Sequence, residues 1–443
     1  IIRLFVSPFV DSMEIFMAAT ITAVSPKSLA EQSHTTRSRV YGVVFLLIAV
    51  ATYWLFATGV DSSLVSKFGL NQGNVAKEER LPDWVVPSYG TVTLLAVVAA
   101  GIGGYQLARG FGRATIVVLG IMVLMLIFSF LVWATRDQSI NLVGMLKSAL
   151  LRGVPITLGA LSGLLCERAG VVNIAIEGLL LSSAMVSTIV GSVTQNLWMG
   201  LLAGVLTGAT LAFIHAVLSI KYKVDQIISG TVINIFSVGI TSFISAKLLQ
   251  VHQEFNNPGI FKSYPIPFLS KIPVVGGIFF DSNIFTYGMY ALLIIIHVGL
   301  FYTRWGLRVR AVGEHPKAAD TLGINVFRTR YINVILGGMV AGFGGAYFTL
   351  GSVGRFDEVM TAGRGFIGLA AMIFGKWTPF GAFGSSLIFG FADALQGKLA
   401  ILRVPIPSQF LLMAPYIATM IALAGIVGRV AAPAADGQPY EKQ

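Results

Sequence analysis

The 443-residue chain is 55% hydrophobic, only 12% charged, and carries a net charge of +11, with a mean hydropathy of +0.79. A soluble domain is usually about a quarter charged, so that class is excluded. A β-barrel is excluded too, because continuous apolar runs of about 18 residues or more recur where a barrel would alternate residue by residue. The surplus of Lys and Arg fits the cytoplasmic loops of a membrane protein better than a nucleic-acid surface. The single cysteine, Cys166, rules out an internal disulfide and a cysteine-based metal cluster.

The chain opens on Ile1 and not on Met, with Met13 and Met17 as candidate starts; residues 1–24 lack the n-region, h-region and cleavage site of a signal peptide. Apolar runs then fall near 40–60, 90–109, 114–134, 146–165, 171–192, 197–219, 227–249, 284–303, 332–351, 365–376, 380–396 and 409–428. The expected fold class is therefore all-α: a polytopic integral membrane helical bundle of about 10–12 transmembrane segments, short broken helices included. With residues 25–39 placed in the cytoplasm, inner loops hold about seventeen Lys and Arg and outer loops about ten. That choice puts loop 304–331, the tail after Arg429, the bend at 166–170 and both termini in the cytoplasm, and loops 61–89 and 250–283 outside.

Four stretches stand out, in chain order. "CERAGVVNIAIEGLLL", residues 166–181, places a charged bend before a hydrophobic helix and sets Asn173 and Glu177 four apart on one helix face. Asn173 can cap the helix, and Glu177 suits its first turns, where the dipole favours negative charge. An intramembrane carboxylate facing a cavity or a partner is the equal alternative, since facing lipid would cost several kcal/mol. In "KVDQIISGTVINIF", residues 223–236, Asp225 is an N-cap and Asn234 a deeper polar group, suited to bonding between helices or lining a hydrophilic path.

The third stretch is the basic loop "RWGLRVRAVGEHPKAADTLGINVFRTR". Pro316 suits the first helical position and Gly323 the stop, so Lys317 to Leu322 makes a short helix of about two turns. Attraction to anionic headgroups explains the arginines. It does not explain a capped helix carrying Ala318, Ala319 and Leu322, which reads as a docking element for a second protein. The fourth is "GRGFIGLAAMIFGKWTPFGAFG", residues 363–384, whose first apolar run is too short to span and is interrupted by Gly375, Pro379 and Gly381. Broken helices at membrane depth line cavities and mark transport sites. Asp393, in "FGFADALQ", is a further intramembrane acid. Small residues four apart, Gly200, Gly204 and Gly208 and again Gly338 and Gly342, let helix backbones approach closely.

Catalytic signatures are missing. "ALQGKLA" lacks the leading Gly and the Ser or Thr of a phosphate loop, the five histidines have no metal spacing, and neither HExxH nor GxSxG occurs. The expectation is a non-enzyme with no metal and no cofactor of its own.

"ERAGVVNIAIEG", "DQIISGTVINI", "RVRAVGEHPKAADTLGINV", "GLAAMIFGKWTPFGAFG" and "GRVAAPAADGQPY" together resemble the permease subunits of ATP-binding-cassette (ABC) importers for nucleosides and simple sugars, a group related to ribose and branched-chain amino-acid permeases. The likeness spans roughly residues 146–440 and is nearest to one of the two permeases of bacterial nucleoside importers. It implies a membrane permease domain over 146–430, preceded by an extension, 1–145, with about three spans, and followed by a cytoplasmic tail, 431–443. It also implies the cytoplasmic membrane of a prokaryote and a set of partners. These are an ATPase subunit that binds and hydrolyses ATP, a second permease subunit in a heterodimer, and an extracytoplasmic substrate-binding lipoprotein, all within membrane lipid and without nucleic acid. The ATPase would seat the loop Gly313, Glu314, His315, Pro316, Lys317, Ala318, Ala319, Asp320, Thr321, Leu322 and Gly323. The translocation path would use Asn173, Glu177, Asn234 and Asp393. Ribose-like sugars or branched-chain amino acids are alternative cargoes. An ion-coupled secondary transporter using Glu177 or Asp393 is the rival from another class.

Overall fold

The computed structural model describes residues 26–71, 80–402, 410, 413 and 432–442, with side chains from residue 38 onward. The segment 1–24 and, apart from residues 410 and 413, the apolar run at 409–428 therefore lie outside the described residues. Among the described residues, nine helices are long and apolar enough to cross a membrane. The protein is an all-α, multi-pass membrane bundle.

By packing, the chain divides into two units: residues 1–69 with 82–140, and residues 70–81 with 141–443. The first holds three helices, α1 (Pro26–Phe56), α2 (Ser88–Ala108) and α3 (Thr115–Ala134), and the strands β1 (Val65–Gly69) and β2 (Trp84–Pro87). These strands pair antiparallel with Val65 opposite Pro87. Phe45, Ala49, Ala99, Leu119 and Met122 form its core, while Leu47, Val50, Leu94, Val97 and Leu124 point outward as expected of a lipid-facing surface.

The second unit follows a short strand, β3 (Ser139–Asn141), and runs through α4 (Leu142–Glu167), α5 (Ile176–Thr194), α6 (Leu197–Ala216) and α7 (Gln226–Ile244). A loop carries the β4–β5 pair (Tyr264–Pro265 with Asp281–Ser282) and the one-turn α8 (Val275–Phe279). Then come α9 (Ile284–Tyr302), α10 (Arg304–Glu314), α11 (Pro316–Thr321), α12 (Val326–Ala346), α13 (Arg364–Phe374) and α14 (Pro379–Ile401). Short polar side chains start most of these helices by accepting from otherwise unpaired first-turn amides. Asn141 takes Gly144 N at 2.7 Å, Asn196 takes Trp198 N at 2.9 Å and Asn325 takes Arg328 N at 2.9 Å. Asp225 caps α7 through Ile227 N and Ile228 N, as its position in the sequence suggests.

Burial separates centre from rim. About 89% of the apolar window of α4, 78% of α5 and 72% of α12 is buried inside the protein, against 28% for α6 and 33% for α7 and α9. The first three are therefore the core, and the others present Leu202, Leu206, Ile235, Phe243, Ile294 and Ile295 to lipid. The two glycine stripes meet each other. A Cβ on Gly208 would lie 2.3 Å from Gly338 O, and one on Gly342 would lie 2.6 Å from Gly204 O. The small residues thus seat α6 directly on the backbone of α12, within one chain.

Candidate functional site

At the end of the second unit away from the 166–170 bend lies a cavity of about 590 Å³, within the usual size of small-molecule sites. The first turns of α4 supply Lys147 and Arg152. The π-helical continuation of α12 over Tyr347–Val353 supplies Tyr347 and Phe348, and α13 supplies Arg364. Such π segments re-aim side chains that a regular helix would place elsewhere. Arg152 Nη1 lies 2.7 Å from Asp393 Oδ1, and Arg364 Nη2 lies 3.3 Å from Asp393 Oδ2. One carboxylate of α14 thereby joins α4 and α13 beside the cavity. At its rim Lys147 Nζ pairs with Asp281 Oδ2 at 2.9 Å. Burial opposes the charge on Asp281, but the Ser263 hydroxyl and the Lys147 ammonium outweigh it and hold the carboxyl below its ordinary range.

Glu177 is on α5, yet it serves another helix. Its carboxylate accepts from Gly363 N at 2.7 Å and Gly365 N at 2.6 Å, the amides at the start of α13. A carboxylate there also meets the positive end of the helix dipole. Gly365 packs so closely that a Cβ would lie 2.6 Å from Glu177 N. Asn173 Oδ1 accepts from Ala175 N at 3.1 Å, and its amide points at Cys166 Sγ, 3.4 Å away. Asn234 Oδ1 accepts from Gly178 N and its Nδ2 donates to Ile174 O, each at 2.8 Å, which ties α7 to the head of α5. Asn173, Glu177 and Asn234 thus gather around one helix start, all buried. Asp393 stands apart in the charged cluster and joins them through Arg364, whose neighbouring amides Glu177 holds.

At the opposite end, α11 begins with Pro316 in its first turn, capped by His315 Nδ1 accepting from Ala318 N at 3.2 Å, and is followed by Gly323 at φ +80°. Ala319 is buried, whereas Leu322 is 81% exposed. Residues 432–442 lie beside this loop. Ala435 N donates to Gly313 O at 2.9 Å, Ala434 N donates to Glu314 Oε2 at 3.2 Å, and Arg330 Nη1 donates to Gln438 O at 2.9 Å.

Sequence reading passed over Arg152 and Arg364, although a cation inside or beside an apolar run is the signal that would have found them. It also passed over Arg330, which is 1% exposed, because a basic residue in a basic loop looks solvated.

The profile of the family described as branched-chain amino acid transport system, permease component, matches residues 145–430. The guanosine ABC transporter permease protein NupQ of Bacillus subtilis is 42% identical over 306 residues, 67% of this chain and 95% of that protein. The nucleoside ABC transporter permease protein NupC of Lactococcus lactis is 40% identical over 304 residues, 66% of this chain and 95% of that protein. A second permease protein of the same bacterium, the nucleoside ABC transporter permease protein NupB, is 23% identical over 288 residues, 60% of this chain and 77% of that protein. No solved structure matches.

Proposed function

This chain belongs to the family of branched-chain amino acid transport system permease components, and we propose that its cargo is a nucleoside, moved inward across the cell membrane. The observation that carries the reading is the match to two nucleoside permease proteins along 95% of their own length at 42% and 40% identity. The cavity is compatible with it. Aromatic rings of Tyr347 and Phe348 stand near paired charges, an arrangement suited to a neutral solute with a π face and a polar edge.

The driving force is ATP hydrolysis on a separate ATPase seated against α10 and α11, with Leu322 entering it as the exposed knob. A second permease completes the path. Support comes from the resemblance of this chain to two permease proteins of Lactococcus lactis, one at 40% and one at 23%. An extracytoplasmic binding protein delivers the nucleoside to the cavity end, which faces outward. The bend at 166–170, α11 and residues 432–442 face the cytoplasm. Asn173, Glu177 and Asn234 brace the helices that form the path, and Asp393 holds the two arginines at its mouth. The solute crosses without chemical change.

The test is uptake of radiolabelled guanosine by native cells carrying or lacking this gene. Uptake lost on deletion, restored by the chain, and competed by other nucleosides but not by ribose is expected. Restoration of ribose uptake without guanosine uptake would overturn the cargo.

A further inference from the structure

The break between α13 and α14 is held in an unusual backbone. Lys376 has φ +54° and Trp377 φ +49°, so two successive side-chain-bearing residues, one a bulky aromatic, sit in the left-handed region. Such a conformation persists only where its surroundings over-determine it. Here they do. Trp377 Nε1 donates to Glu167 Oε2 at 2.6 Å. Trp377 O accepts from Arg168 Nε at 3.0 Å and from Arg168 Nη2 at 2.7 Å. The indole itself is buried. Consecutive residues at the end of α4 therefore grip both the side chain and the carbonyl of one residue in the break.

The same two residues lie against the end of α10 and the tail beside it. A Cβ on Gly313 would lie 2.3 Å from Arg168 O, so the end of α10 rests on the backbone of the bend with no slack. The carboxyl of Glu167 meets that of Asp436, and Ala435 N is bonded to Gly313 O. Tyr440 closes the set. It packs with Val312, Ala319 and Val326, and its ring centroid is 5.3 Å from that of Phe327. Away from the break, α13 and α14 carry Arg364 and Asp393, the charges beside the cavity.

We propose that Trp377 is a positioning residue for transport: gripped by Glu167 and Arg168, it passes displacement of α10–α11 to the α13–α14 break, with residues 432–442 as the strap that keeps the seat and the grip in register. The proposal rests on the reading of α11 as the ATPase seat. A rigid contact on one side and a strained, clamped turn on the other give an unbroken line of contacts from the seat to the break, and the relay requires that the break take a second arrangement when the seat moves. A purely structural tryptophan would affect folding and assembly. A relay changes how much solute moves per ATP.

The experiment uses the whole transporter, purified with its partners and reconstituted in liposomes, and measures guanosine transported and ATP hydrolysed. Trp377→Phe keeps an aromatic ring, smaller than the indole, and removes the N–H. The expected result is ATP hydrolysis within about two-fold of the parent, an unchanged half-saturating guanosine concentration, and a ratio of guanosine to ATP reduced at least three-fold. Arg168→Lys, which keeps the charge and loses the paired donors to Trp377 O, should lower the same ratio and decides the matter if the first variant assembles poorly. An unaltered ratio in the assembled variants, or transport and hydrolysis falling in equal proportion, would overturn the relay. Failure of the parent complex to move guanosine would instead defeat the cargo assignment.

Discussion

Glu177 shows how a residue's chemistry can be read while its partner cannot. Its place in the first turn of α5 suggests a dipole role, but the dipole it serves is that of α13, whose amides lie 186 and 188 residues away. Glu177→Ala would leave the buried Gly365 N–H and the half-buried Gly363 N–H unpaired, at up to about 1–3 kcal/mol each, and the thermal midpoint in detergent should fall sharply. Glu177→Gln retains one carbonyl acceptor and should lose about half as much. Equal midpoints for all three proteins would contradict the capping role. Asp393 differs, because its partners are part-exposed and its loss costs little stability. Asp393→Asn should leave expression and midpoint near those of the parent while guanosine uptake falls several-fold; normal uptake would remove Asp393 from the path. Asp436 carries a pH dependence. Burial pushes its carboxyl up to about 6, against the pull of the hydrogen bond with Glu167, the Gly437 amide and the charge of Arg330. A raised carboxyl favours the docked state below its ordinary value of 3.8, and that contribution is lost as pH rises through about 6. Residues 432–442 should therefore be cleaved by added protease more slowly at about pH 5 than at about pH 7.5, after correction for protease activity; the reverse order would contradict the assignment.

Elements were legible wherever local physics decides them. Hydropathy locates the spans, Asp225 and Pro316 mark helix starts, and Gly323 marks a stop, because each acts within a few residues of itself. The break at 375–379 is also visible, since Pro379 opens α14 and Gly375 closes α13. What could not be read is the tertiary grip on that break: nothing near Trp377 in the chain announces Glu167 or Arg168. The length of α14 was likewise hidden. It runs from Pro379 to Ile401, beyond the apolar run ending near 396, because its last turns carry Gln396 and Lys398 on a helix whose packing, not hydropathy, sustains it. The glycine stripes were visible as a pattern but not as a pair. Their pairing predicts a contrast between two similar substitutions. Gly208→Ala forces a methyl to within 2.3 Å of Gly338 O and 2.7 Å of Gly342 Cα, an overpacking that costs about 1–3 kcal/mol. Gly239→Ala meets nothing within 4 Å and should be neutral or stabilising by about 0.5–1 kcal/mol, since Ala orders a helix at lower entropic cost. Thermal midpoints of the two variants in one detergent check this, and a Gly208→Ala protein as stable as Gly239→Ala would contradict the packing of α6 on α12.

For the whole molecule, the second unit is one helical bundle with two chemically distinct ends. One end holds a charged cavity braced by Arg152, Asp393 and Arg364; the other holds α10, α11 and residues 432–442, with Leu322 exposed among basic residues. Buried α4, α5 and α12 run between them, so the two ends are joined through packed helices and not through lipid. The first unit lies outside the region matched by the family. The central claim is that an ATPase seats on α11 and drives this bundle. The most direct measurement is gentle affinity purification of the tagged chain from native membranes, with its companions identified by mass spectrometry. The account predicts that a protein with a phosphate loop is recovered and is lost when residues 316–323 are scrambled in a chain that still folds. An intact chain that reproducibly comes alone, and whose liposomes accumulate guanosine on an ion gradient without ATP, would contradict it.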